Sequence, residues 1–216
     1  MLMDCITGSV NSKTFGANEP TTGKSFLSYL RTMARTPSTM LSLGTAAPGF
    51  TLPDTVSGKL ISIDKIKGER ATVIMFICNH CPFVIHVNDE LVKLASDYQQ
   101  KNIAFVAISS NDVLNYPEDA PDKMKSTALQ LKYPFPYCYD ETQEVAKTYN
   151  AACTPDFFIY DSNLSLVYRG QLDDSRPGSG IPVTGKDIRH ALDCMISGQP
   201  VPTVQRASMG CNIKWK

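Results

Sequence analysis

The sequence predicts an α/β sandwich built around a mixed central sheet. Two runs, Ala71–Ile77 and Ile103–Ile108, are largely apolar and have the length of strands buried on both faces; the first is rich in β-branched residues. Each run is followed by a helical pattern. Val84, Val87, Leu91, Leu94 and Ala95 repeat at helical spacing after the first, and a helix start at Asp119-Ala120-Pro121 leads toward Tyr133 after the second. Further on, Asp156–Tyr160, a polar turn at Asp161–Asn163 and Leu164–Arg169 read as an antiparallel hairpin, so parallel and antiparallel pairing meet in one sheet.

The remaining elements follow in order. Residues 1–40 show no clear periodicity and are expected to be a loose extension. They carry no apolar core of the kind a secretory signal needs. A mitochondrial transit peptide is weakened by Asp4 and Glu19, and Met33 is an alternative start. Residues 47–65 read as a short hairpin turning near Ser57-Gly58. Pro82 suits a first helical turn, where a missing N–H costs nothing. Tyr137–Tyr139 is expected as a short strand and Thr142–Tyr149 as a short helix. Thr184 is the expected N-cap of a helix from Lys186 to Ser197, with Gly198 just past its end. Residues 199–216, with Pro200 and Pro202, are expected to form an extended, mobile tail. The expected division is therefore an extension (1–40), one domain (41–198) and a tail (199–216).

With 216 residues the chain can bury one sizeable core. Lys+Arg and Asp+Glu both count 21, a balance that argues against nucleic acid or an anionic membrane as partner. No apolar run approaches the ~20 residues that span a bilayer. The seven cysteines are odd in number and lack framework spacing, which argues for a reducing compartment over a secreted disulfide scaffold. Cytoplasm is the expectation, with the mitochondrion as alternative.

Two of those cysteines stand together in Cys78-Asn79-His80-Cys81-Pro82, where a buried strand turns into a helix. A helix N-terminus offers unpaired N–H donors and partial positive charge, and so stabilises a thiolate. Such sites lower a thiol from about 8.5 to roughly 3.5–7.5. Cys78, expected to be the more exposed, is read as the nucleophile and Cys81 as the resolving thiol; one helical turn lets the two sulfurs meet. Protonated His80 adds a positive neighbour. A zinc half-site is the competing use of this spacing. It lacks a second close cysteine pair, although His80 and His86 could contribute. Two inert buried thiols are a third possibility.

Cys153-Thr154-Pro155-Asp156-Phe157 leads into the later hairpin, and X-Pro bonds are where cis peptides occur. A trans proline opening an edge strand is the plain alternative. The segment resembles the Thr-cis-Pro of thioredoxin-like proteins, which faces the Cys-x-x-Cys and whose backbone pairs with an extended substrate. The match is broader. APGFTLPDTVSGKLISIDKIKG, the strand ending in FICNHCPF, TPDFFIYD and the hairpin ending in YRG resemble the AhpC/TSA (peroxiredoxin-like) branch of the thioredoxin superfamily over roughly 44–198. The tail SMGCNIKWK is similar to that of the peroxiredoxin-like 1 thioredoxin-family proteins.

The resemblance implies a thioredoxin-like three-layer sandwich and thiol–disulfide exchange with a protein partner, the electrons coming from a partner dithiol without organic cofactor. Asn79, Thr154 and Pro155 would form the substrate face. Superfamily relatives suggest a homodimer. A histidine in the third position of Cys-x-x-Cys resembles disulfide-forming oxidoreductases and pushes the couple toward oxidising potentials. Peroxiredoxins carry Pro-x-x-x-Thr-x-x-Cys. Laid on this chain, Cys81 takes the cysteine position, Cys78 replaces the threonine and Ile74 the proline, so peroxide reduction is the alternative activity. Arg169 is its candidate cationic partner. A redox sensor or a metal or iron–sulfur module using Cys78, Cys81, Cys153 and Cys211 is the non-enzymatic alternative.

Cys153 is expected close to Cys78. Cys211, in the tail, is expected either to act as an extra resolving thiol or to be idle. Cys138 and Cys194 lie in apolar contexts and read as core residues, and Cys5 as incidental. The polar loop Asp173–Gly180 either flanks the site, mediates a subunit contact or is simply solvated.

Overall fold

The computed structural model of the chain describes residues 35–216. The expectations for a transit peptide, a start at Met33 and Cys5 fall outside the described residues, as does most of the loose extension. From Arg35 onward the order is β1 (Arg35–Pro37), β2 (Thr51–Pro53), β3 (Leu60–Ser62), α1 (Ile63–Ile66), β4 (Ala71–Phe76), α2 (Pro82–Gln99), β5 (Ile103–Ser109), α3 (Pro121–Leu131), β6 (Tyr137–Tyr139), α4 (Glu144–Thr148), β7 (Cys153–Thr154), β8 (Asp156–Asp161), β9 (Leu166–Gly170), α5 (Lys186–Ile196) and β10 (Met209–Asn212).

The central sheet has the order β6-β5-β4-β8-β9. β4, β5 and β6 run parallel, while β8 pairs antiparallel to β4 and β9 antiparallel to β8. Every side chain of β4 is buried, as its apolar run requires. Alternation sends successive residues to opposite faces. Val73, Met75, Phe105, Ala107, Phe157 and Ile159 pack under α2, α3 and α5, whereas Ile74, Phe76, Val106, Ile108, Phe158 and Tyr160 pack against Phe50, Leu52, Ile63 and Tyr149. Each fully buried side chain of this size stabilises the fold by about 1.5–3 kcal/mol. The result is the expected three-layer α/β sandwich, with the β2–β3 hairpin paired as predicted across a turn that includes Ser57-Gly58.

Two expectations are corrected. The N-cap of α5 is Gly185, at φ 64°, in place of Thr184. The Asp173 carboxylate accepts the N–H groups of both Thr184 and Gly185, each at 2.7 Å, and so turns the chain one residue later than a threonine cap would. The end of the chain is not a mobile tail. β10 lies between β1 and β7 in a three-stranded antiparallel sheet, with Cys211 opposite both Arg35 and Thr154. Residues 35–37, expected within the loose extension, are thus paired backbone. Beyond β10, the carbonyl of Lys214 accepts from the Asp112 N–H and from Gln143 Nε2, both at 2.8 Å. No described helix is long and apolar enough to cross a membrane.

Candidate active site

The carboxyl end of β4 delivers the cysteine pair. Cys78 follows Phe76-Ile77 out of the sheet, and Cys81 is the N-cap of α2, with Pro82 as the first helical residue. The Cys81 carbonyl accepts from the Val84 and Ile85 N–H groups. The Cys81 thiol therefore sits at the positive end of an 18-residue helix.

Opposite stands the Thr154-Pro155 bond, which is cis. Thr154 Oγ1 lies 3.3 Å from Cys78 Sγ, and the Thr154 carbonyl oxygen lies 3.1 Å from Cys81 Sγ. Behind this turn runs β10, which brings Cys211 Sγ to 2.7 Å from Cys81 Sγ. Gly210 makes that approach sterically feasible, because a Cβ there would collide with the Thr154 carbonyl.

None of the three sulfurs is open to solvent: exposure is 2% for Cys78, 0% for Cys81 and 2% for Cys211. Cys78 was expected to be the exposed nucleophile, and this geometry does not favour it. Burial raises its thiol well above the ordinary range, and the neighbouring Cys81 and Asp119 add to the rise. Burial also opposes charge on Cys81. There, hydrogen bonds from the Cys211 and Cys78 thiols outweigh burial and bring the thiol far below its usual value. The Thr154 carbonyl disfavours charge on the same sulfur, but two thiol donors face that one acceptor. Cys211, which supplies one of those protons, is held well above the thiol range by that hydrogen bond and by burial.

His80 is held beside the Cys78 sulfur, a ring nitrogen within 4.8 Å of it, in a network that sequence reasoning missed. Asp119 accepts from the Asn79 N–H at 2.8 Å, the His80 N–H at 3.3 Å, His80 Nδ1 at 2.7 Å and Asn111 Nδ2 at 2.7 Å. Burial lowers the His80 pKa, but the Asp119 hydrogen bond and charge more than reverse it, so the net shift is upward. Its ring stacks on Tyr116 with centroids 5.3 Å apart, and its Nε2 is buried without a partner among the described residues. Asp119 itself was read only as part of a helix start. The signal available was an acidic residue beside a proline-opened helix, which sequence alone does not connect to a loop 40 residues earlier. Asn79 is spent on the loop's own shape: its Nδ2 donates to the Glu118 carbonyl, and its Oδ1 accepts from Tyr137 Oη.

Arg169 does not face the thiols. It is fully buried on the other face of the sheet, 3.3 Å from the equally buried Asp156 and 4.3 Å over the Phe158 ring. Ser38, Thr39 and Asn150 take its remaining donors. Its partners leave it no role as a cation for the active cysteine. Cys153 lies beside the centre but is fully buried, and burial raises its pKa. Cys138 is core, as expected, whereas Cys194 is only half-buried, 3.9 Å from His190 Nε2. The Asp173–Gly180 loop does flank the site: His86 Nε2 and Ser175 Oγ lie 2.7 Å apart, at a small pocket lined also by Pro155 and Met209.

Among the described residues, the donors gathered closely enough for a metal ion are Cys78, His80 and Asp119, within 4.8 Å of one another. This is a different set from the four cysteines expected for a metal module, and Asp119 already accepts four hydrogen bonds.

The AhpC/TSA family model matches residues 43–169. The chain belongs to the AhpC/TSA family. An uncharacterised conserved protein of Geobacillus kaustophilus is 60% identical, with a TM-score of 0.84 over 85% of this chain and 97% of that one. A hypothetical protein of Sinorhizobium meliloti 1021 is 46% identical, with a TM-score of 0.82 over 84% and 98%. The thioredoxin domain of a thiol-disulfide oxidoreductase from Bacteroides vulgatus, 18% identical with a TM-score of 0.52 over 60% and 89%, shares the fold. Comparison with curated proteins returns no match. Membership of this family places the chain in the thioredoxin superfamily, as its sequence motifs implied, and makes thiol redox chemistry its general function.

Proposed function

We propose that this AhpC/TSA protein is a thiol–disulfide oxidoreductase whose attacking sulfur is Cys81, with Cys78 as a thiol able to resolve the mixed disulfide. The observation that carries this reading is the placement of Cys81 Sγ at the start of α2, 2.7 Å from the Cys211 sulfur, in surroundings that favour its thiolate. A thiolate is the reactive form in exchange. The roles are reversed from the sequence expectation because burial, with Cys81 and Asp119 adding to it, holds Cys78 as a neutral thiol, whereas hydrogen bonds from neighbouring thiols outweigh burial at Cys81. His80 acts through Asp119 to hold the Asn79-His80 turn, and Thr154-Pro155 shapes the face opposite the sulfurs. Electrons come from a partner dithiol, with no organic cofactor, in a cytoplasmic setting.

The test is titration with oxidised glutathione followed by acid quench, alkylation and peptide mapping. Cys81→Ser should abolish all intramolecular disulfide formation at the centre. Disulfide formation that survives in Cys81→Ser would remove Cys81 from the attacking role.

Peroxide reduction is the second reading. It is favoured by one observation: the thiolate falls on Cys81, the position of the peroxide-reacting cysteine in the peroxiredoxin signature. Against it, Cys78 stands where that signature has a threonine hydroxyl, and Arg169 is committed elsewhere. Oxidation of Cys81 by hydrogen peroxide much faster than that of a free thiol would favour the peroxidase.

A further inference from the structure

The sulfur nearest to Cys81 belongs to the C-terminal strand, 130 residues away in sequence. We propose that Cys211 is a catalytic resolving thiol, so that Cys81 is the shared sulfur of a three-thiol centre and one oxidised state of the protein is a Cys81–Cys211 disulfide. This rests on the oxidoreductase reading above and names a second exit for its mixed disulfide.

The placement is built in. β10 is held by β1 on one side and β7 on the other, which fixes Cys211 opposite Thr154. Gly210 permits the close crossing over Thr154. The strand is anchored beyond the cysteine, where Asn111 Oδ1 accepts from the Lys214 N–H at 2.8 Å, and Asn111 Nδ2 donates to the same Asp119 that holds the His80 turn. One carboxylate therefore ties together the loop carrying Cys81 and the segment carrying Cys211.

The chemistry explains why two candidate resolving thiols need not be equivalent. In the reduced centre the largest cause of the raised Cys211 pKa is its hydrogen bond to Cys81, and the Cys81 charge adds to it. Once Cys81 is in a mixed disulfide that charge is gone, while Lys214 continues to favour a Cys211 thiolate. Cys78 gains less, because burial is its largest cause and Asp119 remains beside it.

The steps balance as follows. The Cys81 thiolate attacks one sulfur of a substrate disulfide, forming a mixed disulfide and expelling the other sulfur as a thiolate. Cys211 gives its proton to that expelled thiolate or to water. Its own thiolate then attacks Cys81 Sγ, forming the Cys81–Cys211 bond and releasing the second substrate thiolate. Two electrons have passed from the pair to the substrate, and an external dithiol restores them.

The experiment uses the full chain as wild type, Cys78→Ser, Cys211→Ser and the double variant, each exposed to oxidised glutathione, quenched in acid, alkylated and mapped by mass spectrometry. Circular dichroism confirms that each is folded. The expected result is a Cys81–Cys211 peptide pair in Cys78→Ser, and a glutathione adduct trapped on Cys81 only in the double variant. If Cys78→Ser instead accumulates the Cys81 adduct as the double variant does, while Cys211→Ser still forms Cys78–Cys81, the role of Cys211 is overturned and the oxidoreductase reading stands. If no variant, nor the wild type, forms any disulfide or adduct at Cys81, both fall.

Discussion

Gly210 stands where β10 crosses the carbonyl of Thr154, and the side chain it lacks would occupy space already filled by backbone. Gly210→Ala therefore forces β10 away from β7, since a carbonyl in a paired strand cannot rotate aside as a side chain could. Overpacking of this kind costs about 1–3 kcal/mol. Total stability in domains of this size is typically ~5–15 kcal/mol, so the variant should still fold. The cost falls on the strand that covers Cys81. If it lowers the free energy of local opening by about 2 kcal/mol, the open population rises roughly 30-fold, because each 1.4 kcal/mol is tenfold. The assay is alkylation of native, reduced protein with a small iodoacetamide reagent, read at Cys81 and Cys211, alongside amide exchange across β10 and β4. Cys81 should react on the order of 30-fold faster, and protection should fall in β10 while that of β4 is kept. Unchanged alkylation at Cys81 would refute the idea that β10 gates the centre. So would an equal loss of protection in both strands, which would mean that Cys81 is reached only by global unfolding.

Four further outcomes are expected. Titration of the thiols by their ultraviolet thiolate absorbance should show one group ionised far below the ordinary thiol value of about 8.5, and Cys81→Ser should remove it while Cys78→Ser does not. Asp119→Asn should bring the His80 pKa down toward or below 6.5, measured by NMR of the ring protons, because the charge and hydrogen bond that raise it are removed or weakened. The same pair makes stability depend on pH: His80 binds its proton more tightly folded than unfolded, so its contribution is complete below about 6.5 and is lost as pH rises through the higher folded value. Urea unfolding across that window should show a downward slope that His80→Gln abolishes. Arg169→Met should lower stability by about 3–5 kcal/mol in chemical unfolding, since it takes from the buried Asp156, whose pKa burial already raises, the cation that offsets that rise, yet leave the Cys81 titration unmoved in the folded protein.

How much of this was legible in the sequence follows from how local each cause is. β4, β5 and α2 were readable because their patterns depend on burial alone: wholly apolar runs for the strands, helical spacing of Val84, Val87, Leu91 and Leu94 for the helix. The cysteine motif and the cis proline were found because strand-to-helix position and a Thr-Pro step carry their own chemistry. The order of the two thiols was not, since it turns on which one Asp119 and Cys211 approach, and both come from far along the chain. Arg169 was misread for the same reason. Its strand looked like a surface hairpin edge, but the sheet buries it, and Asp156 supplies the partner that makes burial tolerable. The last 18 residues defeated the reading most clearly. Prolines and polar residues suggested a free tail, whereas Gly210 and the alternation around it find a strand to pair with only once β1 and β7 are in place.

That pairing bears on how the centre works. A thiolate needs neighbours that favour its charge, and exchange needs access, yet the Cys81 sulfur that β10 approaches to 2.7 Å has no solvent exposure. If a substrate disulfide displaced β10, it would meet a Cys81 that has lost its hydrogen bond with Cys211, and so a stronger base and a more nucleophilic sulfur than in the paired arrangement. Re-pairing of β10 would then bring Cys211 beside a sulfur bonded to substrate, within reach of attack. On this view the closed arrangement is the resting state and the resolving state, and the open one is the state that captures substrate. Asp119, beside Cys78 and linked through Asn111 to the Lys214 N–H, ties the cysteine loop to the end of β10. Weakening that link should thus lengthen the life of the mixed disulfide without slowing its formation, a separation that a merely structural role for Asn111 would not produce.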